Sequence, residues 1–196
     1  MKIFIRTAVA FYVIAGVVLA FADPDVLPVF YQPSVMSTLA FVSALLIVAP
    51  RAVFWPKDEN GRRALERLQG IITAGLIING FGGLGLYKLY RIGFEYDKFA
   101  HFVTSLIFTI GLVYFLRDWF GKNFRKAVVF SSLIVLVGGI LWEFLEALSD
   151  IIFDTNFLGG GTGAIRADTT MDMVMNVVGI AVGIIWVVRR KRIAKG

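Results

Sequence analysis

Six long apolar stretches dominate the chain, and they restrict it to folds that place those stretches in a membrane. Each stretch approaches the ~20 residues that an α-helix needs to cross the hydrocarbon core of a bilayer. Short connections containing proline, glycine or charge separate them. The predicted spans lie near residues 5–21, 34–49, 71–89, 99–116, 127–148 and 171–188. The sequence therefore predicts an all-α, polytopic membrane helix bundle of six transmembrane helices, forming one integral membrane domain over residues 1–196.

The composition agrees with this class of protein. Of the 196 residues, 58% are hydrophobic and only 17% are charged, and the mean hydropathy is +0.76. A soluble domain carries roughly 25% charged residues. The chain contains no cysteine, which excludes disulfides, thiolate catalysis, zinc fingers and iron–sulfur clusters.

Lysine and arginine are unevenly divided between the two sets of loops. The N-terminus, the 50–70 and 117–126 loops and the C-terminal tail hold 16 of the 20 basic residues, and the alternate loops hold 4. Cytoplasmic loops of membrane proteins carry such an excess. We therefore expect both termini in the cytoplasm, a location in the prokaryotic plasma membrane, and membrane lipids as partners. Because the net charge of +6 follows from this topology, no nucleic-acid partner is expected.

Two predicted spans have alternative interpretations. Lys2 and Arg6 precede an apolar run that ends in Ala-Phe-Ala at 20–22, an order also typical of a signal peptide, but the length of the run favours a retained span. Asn79 and six glycines from Gly70 to Gly85 lie in or beside the third span, which makes it a poor helix former. Before that span, Asn60 is expected to cap a short amphipathic helix over residues 62–68 at the cytoplasmic face.

Ionisable side chains recur at one end of the last three spans. Span 4 enters from the predicted outer side, which places Asp97 at its mouth and His101, the only histidine, ~6 Å deeper. Span 5 runs outward, so Glu143 and Glu146 lie roughly one to two turns below the outer surface. Span 6 re-enters and reaches a similar depth at Asp172. Because charged groups within spans are costly unless they face one another or water, we expect these side chains to converge.

The spacing within spans 4 and 5 allows more than one role. Asp97 and His101 share a helix face, so either Asp97 orients the imidazole or both bind one cation; the alternative is a capping aspartate and a hydrogen-bonded histidine. Glu143, Glu146 and Asp150 form one stripe, in which the last two are alternatively hydrated at the helix end. Because few basic residues lie at this depth, a metal ion or protons are expected to balance the acids rather than salt bridges.

Span 6 carries a second polar stripe. Asp168, Asp172 and Asn176 recur at four-residue intervals, although Asp168 is alternatively a helix cap. Gly179 and Gly183 continue the same face, which predicts close packing against a neighbouring helix.

Carboxylates combined with one imidazole suit a divalent metal ion, namely Mg²⁺, Mn²⁺, Fe²⁺ or Zn²⁺. The expected metal ligands are His101, Glu143, Glu146 and Asp172, and together with Asp97 these residues also allow a two-metal site. Asp97 and His101 are the expected catalytic pair, with Asp97 orienting His101 or acting as base. The expected activity is a hydrolase or transferase acting on a lipid headgroup or a lipid-linked substrate, and the expected partner is a lipid or small-molecule substrate.

The basic residues of the outer loops are expected to attract an anionic headgroup; they are Lys88, Arg91, Lys98 and Arg166. One alternative function is a proton- or cation-coupled transporter or channel component, which requires polar residues continuing toward the cytoplasm. Few are available, namely Thr104, Ser105, Thr109, Ser131 and Ser132. The other alternative is a non-catalytic bundle in which the acids join helices or bind a structural ion.

Two glycine-rich motifs resemble nucleotide-binding sequences without their context. Residues 80–85 match G-x-G-x-x-G but follow no predicted strand, which favours helix packing or a flexible break. Residues 159–163 lack the Lys-Ser/Thr of a P-loop and are interpreted as a linker or, alternatively, a mobile lid over the acids.

Three motifs in spans 4 to 6 together resemble the YjdF-like bacterial inner-membrane proteins. They are Asp97-Lys98-Phe99-Ala100-His101-Phe102, Trp142-Glu143-Phe144-Leu145-Glu146 and Asp168-Thr169-Thr170-Met171-Asp172-Met173. A looser similarity exists to the VanZ-like glycopeptide-resistance proteins, which also place Asp-Lys-x-x-His in one span and Asp-x-x-x-Asn-x-x-Gly, here Asp172 to Gly179, in another. The resemblance implies an inner-membrane location and a site at these residues, and it implies no particular reaction. The glycine-rich outer loop departs from the family pattern.

Overall fold

The computed structural model describes residues 1–23, 33–153 and 162–193, without the side chains of residues 90, 162–166 and 192–193. Within these ranges all regular structure is helical, as predicted. The elements are α1 (Lys2–Ala20), α2 (Pro33–Val53), α3 (Glu59–Gly83), a 3₁₀-helix (Leu86–Ile92), α4 (Tyr96–Phe120), α5 (Phe124–Phe153) and α6 (Thr162–Ile193).

Five of these helices are long and apolar enough to cross a membrane, namely α1, α2, α4, α5 and residues 167–191 of α6. Their large apolar side chains are exposed over much of the surface, and those of α5 include Phe130, Leu133, Ile134, Val137, Leu141 and Phe144. Exposing apolar surface to water costs roughly 25 cal/mol per Å², whereas lipid tails solvate it. The chain therefore fits a helical membrane bundle.

The third helix differs from its prediction at both ends. The expected amphipathic helix and the third span are one continuous helix, α3, which is not among the five apolar helices. Its N-cap is Asp58, whose carboxylate accepts a hydrogen bond from the Gly61 N–H at 2.7 Å, so the prediction of Asn60 as the cap is wrong. The helix ends at Gly83 because Gly85 adopts φ +120°, a conformation that favours glycine, and turns the chain into the 3₁₀-helix.

The described chain divides into two compact units. Unit 1 comprises Met1–Tyr96 and Asp118–Phe120, and unit 2 comprises Asp97–Arg117 and Gly121–Gly196. The core of unit 1 is formed mainly by α1 and α2, through Ile5, Ala8, Tyr12, Ala40, Ala44 and Ile47. Across the two helices, the Ser37 hydroxyl donates a hydrogen bond to the Gly16 carbonyl at 2.7 Å. An added Cβ at position 16 would lie 2.9 Å from the tip of the Phe41 ring, so a larger residue there would require this ring to shift.

Unit 2 contains the polar stripes, and glycines bring α4 and α6 together within it. A Cβ at Gly179 would lie 2.4 Å from the Phe102 carbonyl oxygen, and one at Gly183 would lie 3.0 Å from the Thr109 Cβ. The predicted close packing at these glycines is confirmed, and the neighbouring helix is α4. Both positions follow Asp172 on α6, so the packing holds the polar face of α6 against α4.

Candidate functional site

Helix α4 carries a row of polar side chains at four-residue intervals, so successive members lie on one face. The row consists of Asp97, His101, Ser105 and Thr109. The Asp97 side chain is 33% exposed and that of His101 only 7%, while Ser105 and Thr109 are also buried. Access therefore lies at the beginning of α4, and the row becomes enclosed toward the middle of the helix.

Helix α6 presents a matching row to α4. Asp168 is half-buried, and Asp172 and Asn176 are buried. The Ser105 hydroxyl donates a hydrogen bond to Asn176 Oδ1 at 2.6 Å, which joins the two rows one turn below His101. Asp168 is not a helix cap, because α6 begins at Thr162, more than one turn earlier.

Helix α5 adds Glu143, which is 7% exposed. Its Oε1 lies 3.8 Å from His101 Nε2, and the same nitrogen lies 3.6 Å from Asp97 Oδ1 and 3.8 Å from Asp172 Oδ1. These separations exceed hydrogen-bond lengths. Three carboxylates from three helices thus surround one imidazole nitrogen without a hydrogen bond to it.

The buried carboxylate of Glu143 lacks hydrogen bonds. The side chain of Thr169 approaches it from α6, yet neither Oε1 nor Oε2 has hydrogen-bond geometry with any described residue. Burying an ionised carboxylate without partners costs several kcal/mol. Either a cation or a proton must therefore accompany Glu143 in the membrane.

Glu146 lies one turn further along α5 and is half-buried. The Trp142 indole N–H donates a hydrogen bond to its Oε1 at 2.7 Å, which orients the carboxylate. His101, Glu143 and Glu146 each offer a ligand atom within 4.8 Å of the others, as do Asp97, His101 and Asp172. The structure thus brings the predicted ligands together in two groups that share His101.

Lys98 forms salt bridges within the cluster that were not predicted from the sequence. Its side chain is 11% exposed, and its ammonium lies 3.1 Å from Asp97 Oδ2 and 2.8–2.9 Å from the two oxygens of Asp172. It also donates a hydrogen bond to Asp168 Oδ1. The expectation that salt bridges do not balance the acids is therefore wrong for these three, and Lys98 is not an outer residue free to attract a headgroup. Its neighbours Asp97 and His101 were the available signal, because a lysine in a span is rarely unpaired.

The other predicted residues lie at the edge of this cluster or outside the described part. Asp150 is half-buried near the end of α5 and belongs to neither ligand group. The side chain of Arg166 and residues 159–161 of the predicted lid or linker lie outside the described residues, and residues 162–163 begin α6. Lys88 and Arg91 are exposed residues of the 3₁₀-helix in unit 1.

The polar rows end in an apolar cluster. One turn beyond Thr109, a buried group closes the space among the three helices, and it consists of Val113, Leu116, Ala127 and Val187. Partly buried Ile110, Tyr114, Phe124 and Val128 surround it. Within the described part of unit 2, the site is therefore accessible at one end and closed at the other.

A family model described as "Predicted membrane protein (DUF2238)" matches residues 4–192, and the chain belongs to this family. The match establishes a family of membrane proteins; the closer likeness to YjdF-like and VanZ-like proteins stays a prediction. No curated protein and no solved structure matches the chain significantly.

Proposed function

We propose that this member of the DUF2238 family is a metal-dependent hydrolase or transferase that acts on a lipid headgroup or a lipid-linked substrate at the outer leaflet. Its divalent ion would be held by His101, Glu143 and Glu146, one of the two ligand groups, while the fourth predicted ligand, Asp172, is paired with Lys98. The observation that carries the proposal is the Glu143 carboxylate, which is buried, directed toward His101 and without a hydrogen bond from the described residues. A bound cation would supply the positive charge that this carboxylate lacks.

The spacing of the side chains supports this ligand set. Two donors bound ~2.1 Å from one ion lie about 3.0–3.4 Å apart. The 3.8 Å between His101 Nε2 and Glu143 Oε1 exceeds that value by a few tenths of an ångström, and the ligand atoms of His101, Glu143 and Glu146 all lie within 4.8 Å of one another. One imidazole among carboxylates favours Mn²⁺, Fe²⁺ or Zn²⁺ over Mg²⁺.

The arrangement of exposed and buried acids supports a hydrolytic or transfer reaction. A bound metal ion lowers the pKa of its water toward ~7 and so supplies a nucleophile. Asp97, one-third exposed at the accessible end, would serve as the proton acceptor for such a reaction, and Lys98 holds the Asp97 carboxylate in place. A substrate that reaches the beginning of α4 from the membrane surface meets these groups without crossing the bilayer.

A proton or cation relay is the second candidate function, and the row that continues through Ser105 and Thr109 favours it. The Thr109 hydroxyl has no hydrogen-bond partner among the described residues, so the row is not a continuous chain of bonds. Beyond it, Val113, Leu116 and Val187 provide no polar group. A site accessible from one side suits an enzyme better than a conduit.

Elemental analysis of the purified full chain in lipid nanodiscs tests metal binding. We expect a stoichiometric divalent metal in the wild type and its loss in Glu143→Gln, an isosteric change that removes the charge. Glu59→Gln is the matched control, because Glu59 is an exposed carboxylate at the start of α3 that pairs with Arg62 and Arg63. A folded wild type that contains no metal, and binds none on addition of Mn²⁺, Fe²⁺ or Zn²⁺, overturns the proposal.

A phosphate-release assay then tests the reaction. The probes are vesicles containing phosphatidic acid or a polyprenyl diphosphate, with the metal found by elemental analysis. We expect release by the wild type and Glu59→Gln and a loss of at least ~100-fold in Glu143→Gln. Metal-loaded protein that acts on neither lipid but moves protons into liposomes favours the relay instead.

A further inference from the structure

The Lys98 ammonium occupies one of two candidate cation positions in the cluster. It lies 2.8–3.1 Å from oxygens of Asp97 and Asp172 and also donates to Asp168. Its three N–H donors are thus matched by three carboxylates. Asp97 and Asp172 also belong to the ligand group formed by Asp97, His101 and Asp172. The ammonium therefore contacts the oxygens that a metal ion in this group would need.

The other ligand group, formed by His101, Glu143 and Glu146, has no such cation from the described residues. Among the described residues of unit 2, no lysine or arginine pairs with Glu143 or Glu146, and Glu143 retains two oxygens without hydrogen bonds. The two groups share His101 but differ in charge balance. The Lys98 ammonium compensates Asp97 and Asp172, whereas no described lysine or arginine compensates Glu143 and Glu146. Asp172 Oδ1 lies 2.8 Å from the Lys98 ammonium and 3.8 Å from His101 Nε2, so Asp172 lies between Lys98 and the shared histidine.

We propose that Lys98 takes the place of a second divalent cation, so that the cluster binds one metal ion, on the Glu143 side of His101. This inference rests on the proposed function, since it assumes that the cluster binds metal at all. A divalent ion bound by Asp97 and Asp172 would lie within a few ångströms of the ammonium, where repulsion between like charges in a medium of low dielectric constant is strong. Lys98 therefore sets the number of ions and is a positioning residue for Asp97 and Asp172.

The alternative role for Lys98 is purely structural, as a salt bridge that joins α4 to α6. The number of bound ions distinguishes the two roles, because a structural lysine has no effect on stoichiometry. Lys98→Met removes the charge and keeps a long side chain, and Lys98→Arg keeps the charge as the matched control. Asp168 belongs to neither ligand group, so the double variant Lys98→Met/Asp168→Asn preserves the net charge and both groups.

The experiment titrates Mn²⁺ into each protein in nanodiscs, counts bound ions by elemental analysis and records the electron paramagnetic resonance spectrum. We expect one ion per chain in the wild type and Lys98→Arg. We expect two ions in Lys98→Met and in the double variant, with the spectral broadening that two nearby Mn²⁺ ions produce. The double variant keeps the test informative if Lys98→Met fails to fold. In the double variant, the loss of the Lys98 charge is matched by the loss of the Asp168 charge.

Each remaining outcome decides between the hypotheses. One ion in the folded double variant, or two ions in the wild type, overturns the role of Lys98 and leaves the metal site standing. No ion in the wild type overturns the proposed function itself.

Discussion

The two units differ in whether their buried polar side chains are hydrogen-bonded. In unit 1, Gln69 is 1% exposed and both ends of its amide are used: Nε2 donates to the Ile47 carbonyl at 2.9 Å and Oε1 accepts from Arg51 Nε at 2.8 Å. Buried Ser37 and Thr73 likewise donate to backbone carbonyls. In the described chain, every buried side-chain nitrogen or oxygen atom without a hydrogen bond lies in unit 2; these atoms belong to Thr104, Thr109, Glu143 and Asp172.

This difference separates structural polarity from functional polarity. A satisfied amide such as that of Gln69 fixes the packing of helices and needs nothing further. A buried carboxylate such as that of Glu143 costs free energy unless another species binds to it. We therefore interpret unit 1 as a scaffold, and the uncompensated buried carboxylate of Glu143 supports the proposed site in unit 2.

The largest expected effect that tests this contrast is stabilisation of the wild type by metal. A ligand at 100 times its Kd stabilises the native state by about 2.7 kcal/mol, which corresponds to a rise in Tm of about 5–10 °C for a chain of this size. We expect this rise on adding Mn²⁺ to chelator-treated protein, measured by thermal scanning in nanodiscs. Glu143→Gln should lose the rise and be the more stable protein in chelator, because its amide carries no buried charge. Equal melting of both proteins under both conditions would remove the distinction between the units.

The second prediction concerns the satisfied amide of unit 1. Gln69→Leu leaves the Ile47 carbonyl and Arg51 Nε without their partner, and each lost or unsatisfied hydrogen bond costs about 1–3 kcal/mol. We expect the free energy of unfolding to fall by roughly 2–3 kcal/mol, with the metal stoichiometry unchanged. Loss of metal from a folded Gln69→Leu protein would contradict the assignment of unit 1 as scaffold.

The third prediction compares two glycines within unit 2. Gly179→Ala places a Cβ 2.4 Å from the Phe102 carbonyl oxygen, so α4 and α6 must move apart at a cost of about 1–3 kcal/mol. Gly138→Ala on α5 is the control, because an added Cβ there meets nothing within 4 Å. We expect Gly179→Ala alone to melt lower and to bind metal more weakly. If the two variants behave alike, the close contact between α4 and α6 does not define the site.

Several features of the fold and site were predictable because they depend on local pattern. Long apolar runs predicted six spans, of which five correspond to helices that could span a membrane, and four-residue spacing placed Asp97 with His101 and Asp168 with Asp172 on shared faces. The glycine spacing after Asn176 predicted a close helix contact, which α4 provides. Each of these inferences needs only hydrophobicity, helical period or side-chain size.

Other features depended on contacts between distant parts of the chain. The end of α3 at Gly83 and the following turn are accompanied by Tyr87 packing on Gly82 and by the Tyr96 hydroxyl, which donates to the Ile78 carbonyl at 2.7 Å. The run of glycines indicated a weak helix here but could not give its last residue, because tertiary contacts decide between a longer span and a turn.

The sequence by itself determined that the chain is an α-helical membrane protein with a set of acids and one histidine at one level of its last three spans. Hydropathy and helical period specify that much, since both are properties of short segments. Only the tertiary structure decided which acids are already compensated. The four-carbon stem of Lys98 lets its ammonium lie far from its own backbone, and the packing of α4 against α6 directs it to Asp168 and Asp172. The same packing leaves Glu143 facing His101 without a counter-ion from the described chain.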